Sequence, residues 1–303
     1  MIFPPYLHPG DCIGIVAPAR KISPKEVKAA IDFLELNHFR VAVGKNLFSK
    51  HFQFAGSDEE RAEDFQSFLD DSDIKAIWCA RGGYGSVRII DRLDFSTFSQ
   101  HPKWICGYSD ITVFHSHLHQ LGFATLHCTM PINIQPSDFD NINNRTMIQA
   151  LTGGILAYSV PNFGMNREGI AVGETIGGNL SILYSLLGSA SDLNTEGKIL
   201  FIEDLDEHLY HVDRMMQALK RAGKLSKLAG LVVGTMSDMH NNDPNNPFGQ
   251  EAEEIVASCC QEYSYPICYQ FPVGHAGSNV ALKFGAKASL SVTGGGATLI
   301  YNE

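Results

Sequence analysis

Short apolar runs alternate with longer stretches whose apolar positions recur every three or four residues, and this alternation predicts strands and helices in turn. Ile13 to Ala17 reads as a strand ended by Pro18. Ser23-Pro24-Lys25-Glu26 is a capping box with proline at the first helical position, opening a helix to about Leu36. Val41 to Val43 is a second strand. Ser57 and Glu60 cap a helix carrying Phe65, Phe68 and Leu69. Ile74 to Cys79 is a third strand, followed directly by the loop Arg81-Gly-Gly-Tyr-Gly85 and by a predicted helix from Ser86 to about Leu93. Trp104 to Cys106 is a fourth strand. Gly107 breaks it, Tyr108-Ser109-Asp110 makes a tight corner, and Ile111, Phe114, Leu118 and Leu121 then recur at helical spacing. Strand alternating with helix predicts an α/β fold, a doubly wound parallel sheet with right-handed crossovers.

Polar and turn residues dominate from about Gln135 to Gly169, with a short helix expected near Thr146 to Leu151. The expected division is therefore an N-terminal domain over 1–135, a linker over 136–168 and a smaller C-terminal domain over 169–303. The second half opens with Glu174 to Leu180 and a helix through Leu183, Leu186 and Leu187, ending at Gly188. Lys198 to Ile202 is a strand delivering Glu203 and Asp204. A helix with His211, Met215 and Leu219 stops before Gly223, and Gly230 to Thr235 is another strand. The polar loop Asn241 to Pro247 precedes a helix to about Cys260. Ile267 to Phe271 is a strand leading to Pro272-Val-Gly-His275, and Ala288 to Val292 with Ala297 to Tyr301 make a hairpin about Gly294 to Gly296. This half is mixed α/β.

A chain of 303 residues has room for two cores. Its net charge of −10, with no basic run, argues against a nucleic-acid partner. No apolar stretch approaches the roughly 18–20 residues of a membrane span, so no membrane partner is expected. The start MIFPPYLHPGD lacks the basic and apolar regions of a secretory signal, which predicts a cytoplasmic protein. The seven cysteines, an odd number without C-x-x-C spacing, fit reduced thiols.

Three predicted strands end in a reactive side chain: Ser109, Glu203 and His275. A serine nucleophile needs a base, and the base an orienting acid. At a strand-to-helix turn Ser109 would have free backbone N–H groups beside it for an oxyanion, although an N-cap role suits Ser109 or Asp110 as well. Glu203 equally fits a solvated acidic loop with Asp204, Asp206 and Glu207, and His275 a turn between glycines. G-x-S-x-G is absent, because Ile111 stands where the last glycine belongs. The Arg81–Gly85 loop is not a dinucleotide fingerprint, since Arg88 occupies the place of the last glycine and the loop follows the third strand. Gly82 or Gly83 could instead bring a backbone N–H to a bound carbonyl, and Arg81 could attract a substrate carboxylate or be structural. Of His115, His117 and His119 only the first and last share a helix face, which predicts hydrogen-bonded or solvated histidines and no metal.

These motifs, taken together, resemble the serine LD-carboxypeptidases of the murein tetrapeptide carboxypeptidase family. The similarity covers nearly the whole chain: GDCIGIVAPA (Gly10–Ala19), ARGGYGSVRIIDRLDF (Ala80–Phe95), GYSDIT (Gly107–Thr112), GGNLS (Gly177–Ser181), FIEDLDEHLYHVDRM (Phe201–Met215) and GH (Gly274–His275). The resemblance implies Ser109 as nucleophile, His275 as general base and Glu203 as its orienting acid. It implies an oxyanion hole from the backbone N–H of Asp110 and of a glycine in the Arg81–Gly85 loop, Gly83; Arg81, Gly82 and Tyr84 are candidates to line the substrate. It further implies two α/β domains with the triad across their cleft, a homodimer, and no cofactor. The implied reaction is removal of the terminal D-alanine from murein tetrapeptide or its muropeptide forms, in peptidoglycan recycling. The family also includes microcin-immunity peptidases, which cleave peptidyl or aminoacyl nucleotides, and a non-catalytic small-molecule-binding protein is the alternative of another class. Three positions depart from the family pattern: Cys128-Thr129 after His127, Lys283, and Ala19-Arg20 in place of a serine-rich turn.

Overall fold

The computed structural model describes residues 1–241, 243 and 245–302. Positions 242 and 244 of the predicted loop Asn241 to Pro247 lie outside the described residues. The chain divides into two compact units, one of Met1–Gly154 with Val280–Lys283, the other of Ile155–Asn279 with Phe284–Glu303.

In the first unit the order is β1 (Cys12–Val16), α1 (Pro24–Leu36), β2 (Arg40–Val43), α2 (Asp58–Asp70), β3 (Ile74–Cys79), α3 (Ser96–Gln100), β4 (Trp104–Gly107), α4 (Thr112–Gln120), β5 (Thr125–His127) and α5 (Ile142–Leu151). The strands stand in the order β2-β1-β3-β4-β5, all parallel, and the strand Leu282–Phe284 adds the far edge. Both predicted capping boxes form. Ser23 Oγ accepts from Glu26 N while the Glu26 carboxylate accepts from Ser23 N at 2.8 Å, and Ser57 with Glu60 does the same. Each such cap contributes about 1 kcal/mol.

Right-handed crossovers put helices that step in one direction on one face of the sheet. From β1 to β2 the chain steps one way, and afterwards always the other, so α1 covers one face and α2, α3 and α4 the opposite one. Phe65 of α2 accordingly stacks on Phe114 of α4 at 4.3 Å between ring centres. The direction reverses between β1 and β3, and at such a switch point the carboxyl ends of the strands leave a crevice for ligands.

The predicted helix from Ser86 to Leu93 is corrected to two 3-10 turns, Ser86–Arg88 and Ile90–Arg92. Its neighbours Ile89 and Ile90 are both buried, and a regular α-helix would turn one of them 100° away from the other. The α3, β5 and Leu282–Phe284 segments had no periodic signal. Each is only three to five residues long.

The second unit comprises β6 (Ala157–Pro161), β7 (Gly169–Asn179), α6 (Leu180–Ser185), β8 (Ile199–Leu205), α7 (Leu209–Arg221), β9 (Gly230–Ser237), α8 (Ala252–Cys259), β10 (Ile267–Cys268), then β12 (Lys287–Thr293) and β13 (Gly296–Tyr301), with β11 the Leu282–Phe284 strand already met. Its sheet runs β10-β9-β8-β7-β12-β13-β6. The first four are parallel and the last three join antiparallel, so β7 serves both halves, pairing with β12 over Gly169–Glu174 and with β8 over Thr175–Asn179. α7 buries Leu209, Val212, Met215, Met216 and Leu219 in one apolar cluster with Ile255, Val256 and Cys259 of α8. The polar stretch 136–168 holds α5 and the edge strand β6. The expected strand to Phe271 stops at Cys268, and Gln270 takes a positive φ.

Candidate functional site

In the first unit three loops leave the carboxyl ends of adjacent strands: residues 17–22 after β1, Ala80 to Gly85 after β3, and the Tyr108 corner after β4. Ser109 sits at that corner with φ +63°, a conformation that costs a side-chain-bearing residue on the order of 1 kcal/mol and is held only by its surroundings. It starts a 3-10 turn, Ser109–Ile111, that runs into α4. Gly82 packs directly against it: a Cβ there would stand 2.9 Å from Ser109 Cβ, 3.0 Å from its Oγ and 3.4 Å from Asp110 N. The backbones of Gly82 and Asp110 thus flank the hydroxyl, at a helix start whose dipole favours a negative charge.

The glycine loop is clamped by two buried charges. Asp110, 1 % exposed, accepts from Ser86 N at 2.8 Å through Oδ2, and burial pushes its carboxyl above the ordinary range. Arg61, 2 % exposed, donates to Gly85 O at 3.0 Å and to Pro18 O, so it ties the β3 loop to the β1 loop. Arg81 donates to Lys21 O at 3.4 Å and pairs with Glu26 at 3.7 Å. Tyr84 is 45 % exposed, with its ring 6.1 Å from Phe54. His115 is a core residue: Nδ1 meets Thr125 Oγ1 at 2.8 Å, Nε2 meets Gly107 O at 2.9 Å, and burial lowers its pKa to about 4. It pins α4 to β4 and β5.

In the second unit Glu203 lies within β8, which runs to Leu205, three residues past its expected end at Ile202. The β8–β9 register slips there, Ile202 facing Val233 while Asp204 faces Met236, so β9 carries one extra residue. Such a bulge re-aims side chains. Glu203, fully buried, reaches His275 Nδ1 with Oε2 at 2.7 Å. Its neighbour Asp204 points the other way, accepting from Asn179 Nδ2 at 2.8 Å and from Ser181 N at 2.9 Å at the start of α6. Burial, with the nearby Glu203 charge, raises Asp204 to about 7. His275 follows a segment laid along β9, where Thr235 N donates to Val273 O at 3.0 Å, and Asn279 Oδ1 takes Gly274 N at 3.1 Å. Burial disfavours the imidazolium, but the Glu203 hydrogen bond and charge outweigh it, and the pKa of His275 stands above its ordinary value. With Nδ1–H directed at Glu203, Nε2 is left as the basic nitrogen.

The sequence profile of the LD-carboxypeptidase N-terminal domain matches residues 13–128, and that of the LD-carboxypeptidase C-terminal domain matches residues 172–290. A protein of Bacillus subtilis named a probable murein peptide carboxypeptidase is 36% identical over 293 residues, covering 95% of this chain and 91% of its own. The chain belongs to the LD-carboxypeptidase family. It is a carboxypeptidase, a hydrolase of the serine peptidase class. Its structure matches that of muramoyltetrapeptide carboxypeptidase from Oxalobacter formigenes with a TM-score of 0.86 at 28% identity, over 96% of this chain and 99% of the other. A microcin self-immunity protein of Escherichia coli is 25% identical over 93% of this chain and 90% of its own.

Two of this carboxypeptidase's site features escaped sequence reasoning. The sequence points to Asp110 as an N-cap or through its backbone N–H, not to its carboxylate on Ser86 N, and carries no sign of Arg61. Asp110 follows the corner serine directly, but nothing in sequence links it to Ser86. Arg61 lies on the apolar-poor helix α2, where a buried arginine has no local signature.

Proposed function

We propose that this carboxypeptidase removes the terminal D-alanine from murein tetrapeptide, cutting the bond from the L-centre of meso-diaminopimelate or lysine, with Ser109, His275 and Glu203 as its triad. The observation that carries the reading is the buried Glu203–His275 bond of 2.7 Å, which fixes the imidazole tautomer. Ser109 Oγ attacks the scissile carbonyl while His275 Nε2 takes the hydroxyl proton. The N–H groups of Asp110 and Gly83 receive the oxyanion, and Arg81, Gly82 and Tyr84 border the peptide. As the C–N bond breaks, His275 gives the proton to the departing D-alanine nitrogen. Water then repeats the sequence on the acyl-enzyme, with His275 as base. The enzyme would act as a homodimer in the cytoplasm, recycling muropeptides. Its seven free, buried thiols suit a reducing compartment. Among the described residues no helix is long and apolar enough to cross a membrane.

The test is release of D-alanine from murein tetrapeptide by wild type and by Ser109→Ala, with chelator in parallel. Release that survives chelation and falls at least ~10³-fold in the variant is the expected result. No release by folded wild type sinks the proposal and turns attention to peptidyl nucleotides.

A further inference from the structure

With Ser109 as nucleophile, on which this inference rests, the enzyme must also hold the free carboxylate of the residue it removes. One residue spans only about 3.5 Å of extended chain, so the anion site has to border the oxyanion site. In the first unit Gly82 fits against Ser109, and the next residue, Gly83, fits against Arg20. A Cβ on Gly83 would stand 2.5 Å from Arg20 Cδ and 3.0 Å from Arg20 Nε. Arg20 N donates to Gly82 O at 3.3 Å, which fixes the stem of this arginine beside the glycine loop.

Three cations, Arg20, Lys21 and Arg81, line an open cavity of about 310 Å³ here, together with Phe52 and Gln53. Two of them are engaged. Arg81 is paired with Glu26 at 3.7 Å, and Lys21 Nζ donates to Phe52 O at 2.8 Å. Among the described residues no carboxylate pairs with the Arg20 guanidinium. A guanidinium fork matches a carboxylate with two parallel N–H···O bonds, which a lysine cannot offer.

We propose that Arg20 binds the free terminal carboxylate of the substrate and so restricts the enzyme to exopeptidase cleavage. The experiment compares a murein tetrapeptide ending in D-alanine with the same peptide ending in D-alaninamide, using wild type, Arg20→Met, Arg20→Lys and Arg81→Met. Arg20→Met keeps the apolar stem across Gly83, and fluorophosphonate labelling of Ser109 reports that each variant is folded. Wild type should prefer the acid over the amide. Arg20→Met should raise KM for the acid roughly 10- to 100-fold and bring the acid-to-amide preference near one, with Arg20→Lys between. A preference retained in Arg20→Met, or lost only in Arg81→Met, overturns the assignment while leaving Ser109-dependent release intact. Absence of release from both peptides by wild type overturns the parent reading and this one with it.

Discussion

At the scale of single residues, the site depends on space as much as on charge. Gly82→Ala would force a methyl to within 2.9 Å of Ser109 Cβ, although Gly82 itself needs no positive φ. The expected outcome is a fall of about 10²-fold in kcat/KM for D-alanine release with the melting temperature nearly unchanged, since misplacing a nucleophile by about 1 Å costs that much. Full activity in this variant would show that the glycine loop does not touch the nucleophile's position. The raised pKa of His275 has its own signature. As the proposed base, His275 must be neutral, so the rate should rise with pH through a limb above 6.5, the ordinary histidine value. Glu203→Gln removes the charge that raises it. Its limb should move to lower pH while the plateau drops by about 10²–10⁴-fold, and a pH–rate profile of both proteins reads the two effects separately. A limb that stays in place would mean that Glu203 does not set the base. Glu203 and His275, the proposed acid and base, were legible as candidates in the sequence, although Glu203 lies inside β8 and His275 well beyond the end of β10. Their pairing followed only from the family resemblance, because the bulge in β9 beside Glu203 leaves no mark in the sequence of either strand.

At the scale of elements, β7 is the most constrained. It pairs parallel with β8 and antiparallel with β12, and Gly177 takes φ +130° with its Cα pressed on β8. A Cβ at Gly177 would lie 1.9 Å from Phe201 O, a backbone atom that cannot turn aside. Gly177→Ala should therefore lower the unfolding free energy by on the order of 3 kcal/mol or more, measured by urea denaturation. A change below about 1 kcal/mol would mean that β7 and β8 separate there without penalty. Helices α1 and α2 were readable from local sequence because each supplies its own capping box, and α7 because its apolar positions recur at helical spacing. The segment Ser86–Arg92 was not, since its two adjacent isoleucines are both buried, which no helix period predicts, and its turns pack against α4.

At the scale of the whole molecule, the first sheet is finished by a strand from near the other end of the chain, Leu282–Phe284. A fragment of residues 1–154 would leave the edge of β5 open, and an open edge recruits further strands. Such a fragment should associate in light-scattering measurements, and a peptide covering residues 280–286 should reduce the association by occupying the edge. A monodisperse fragment indifferent to the peptide would show that the edge strand is dispensable. The same distance in sequence separates what could be read from what could not. The chain by itself determined the alternation of strand and helix, the two-part α/β class, the candidate serine, acid and base, and the family, because these lie in local periodicity, in caps and in contiguous motifs. Only the tertiary structure decided that Arg61 and Asp110 clamp the glycine loop, that Arg81 is occupied by Glu26 while Arg20 lies across Gly83, and that a register slip aims Glu203 at His275. Those depend on atoms brought together from distant positions, and the hydrogen bonds and close packing between them exist only once the sheets have formed.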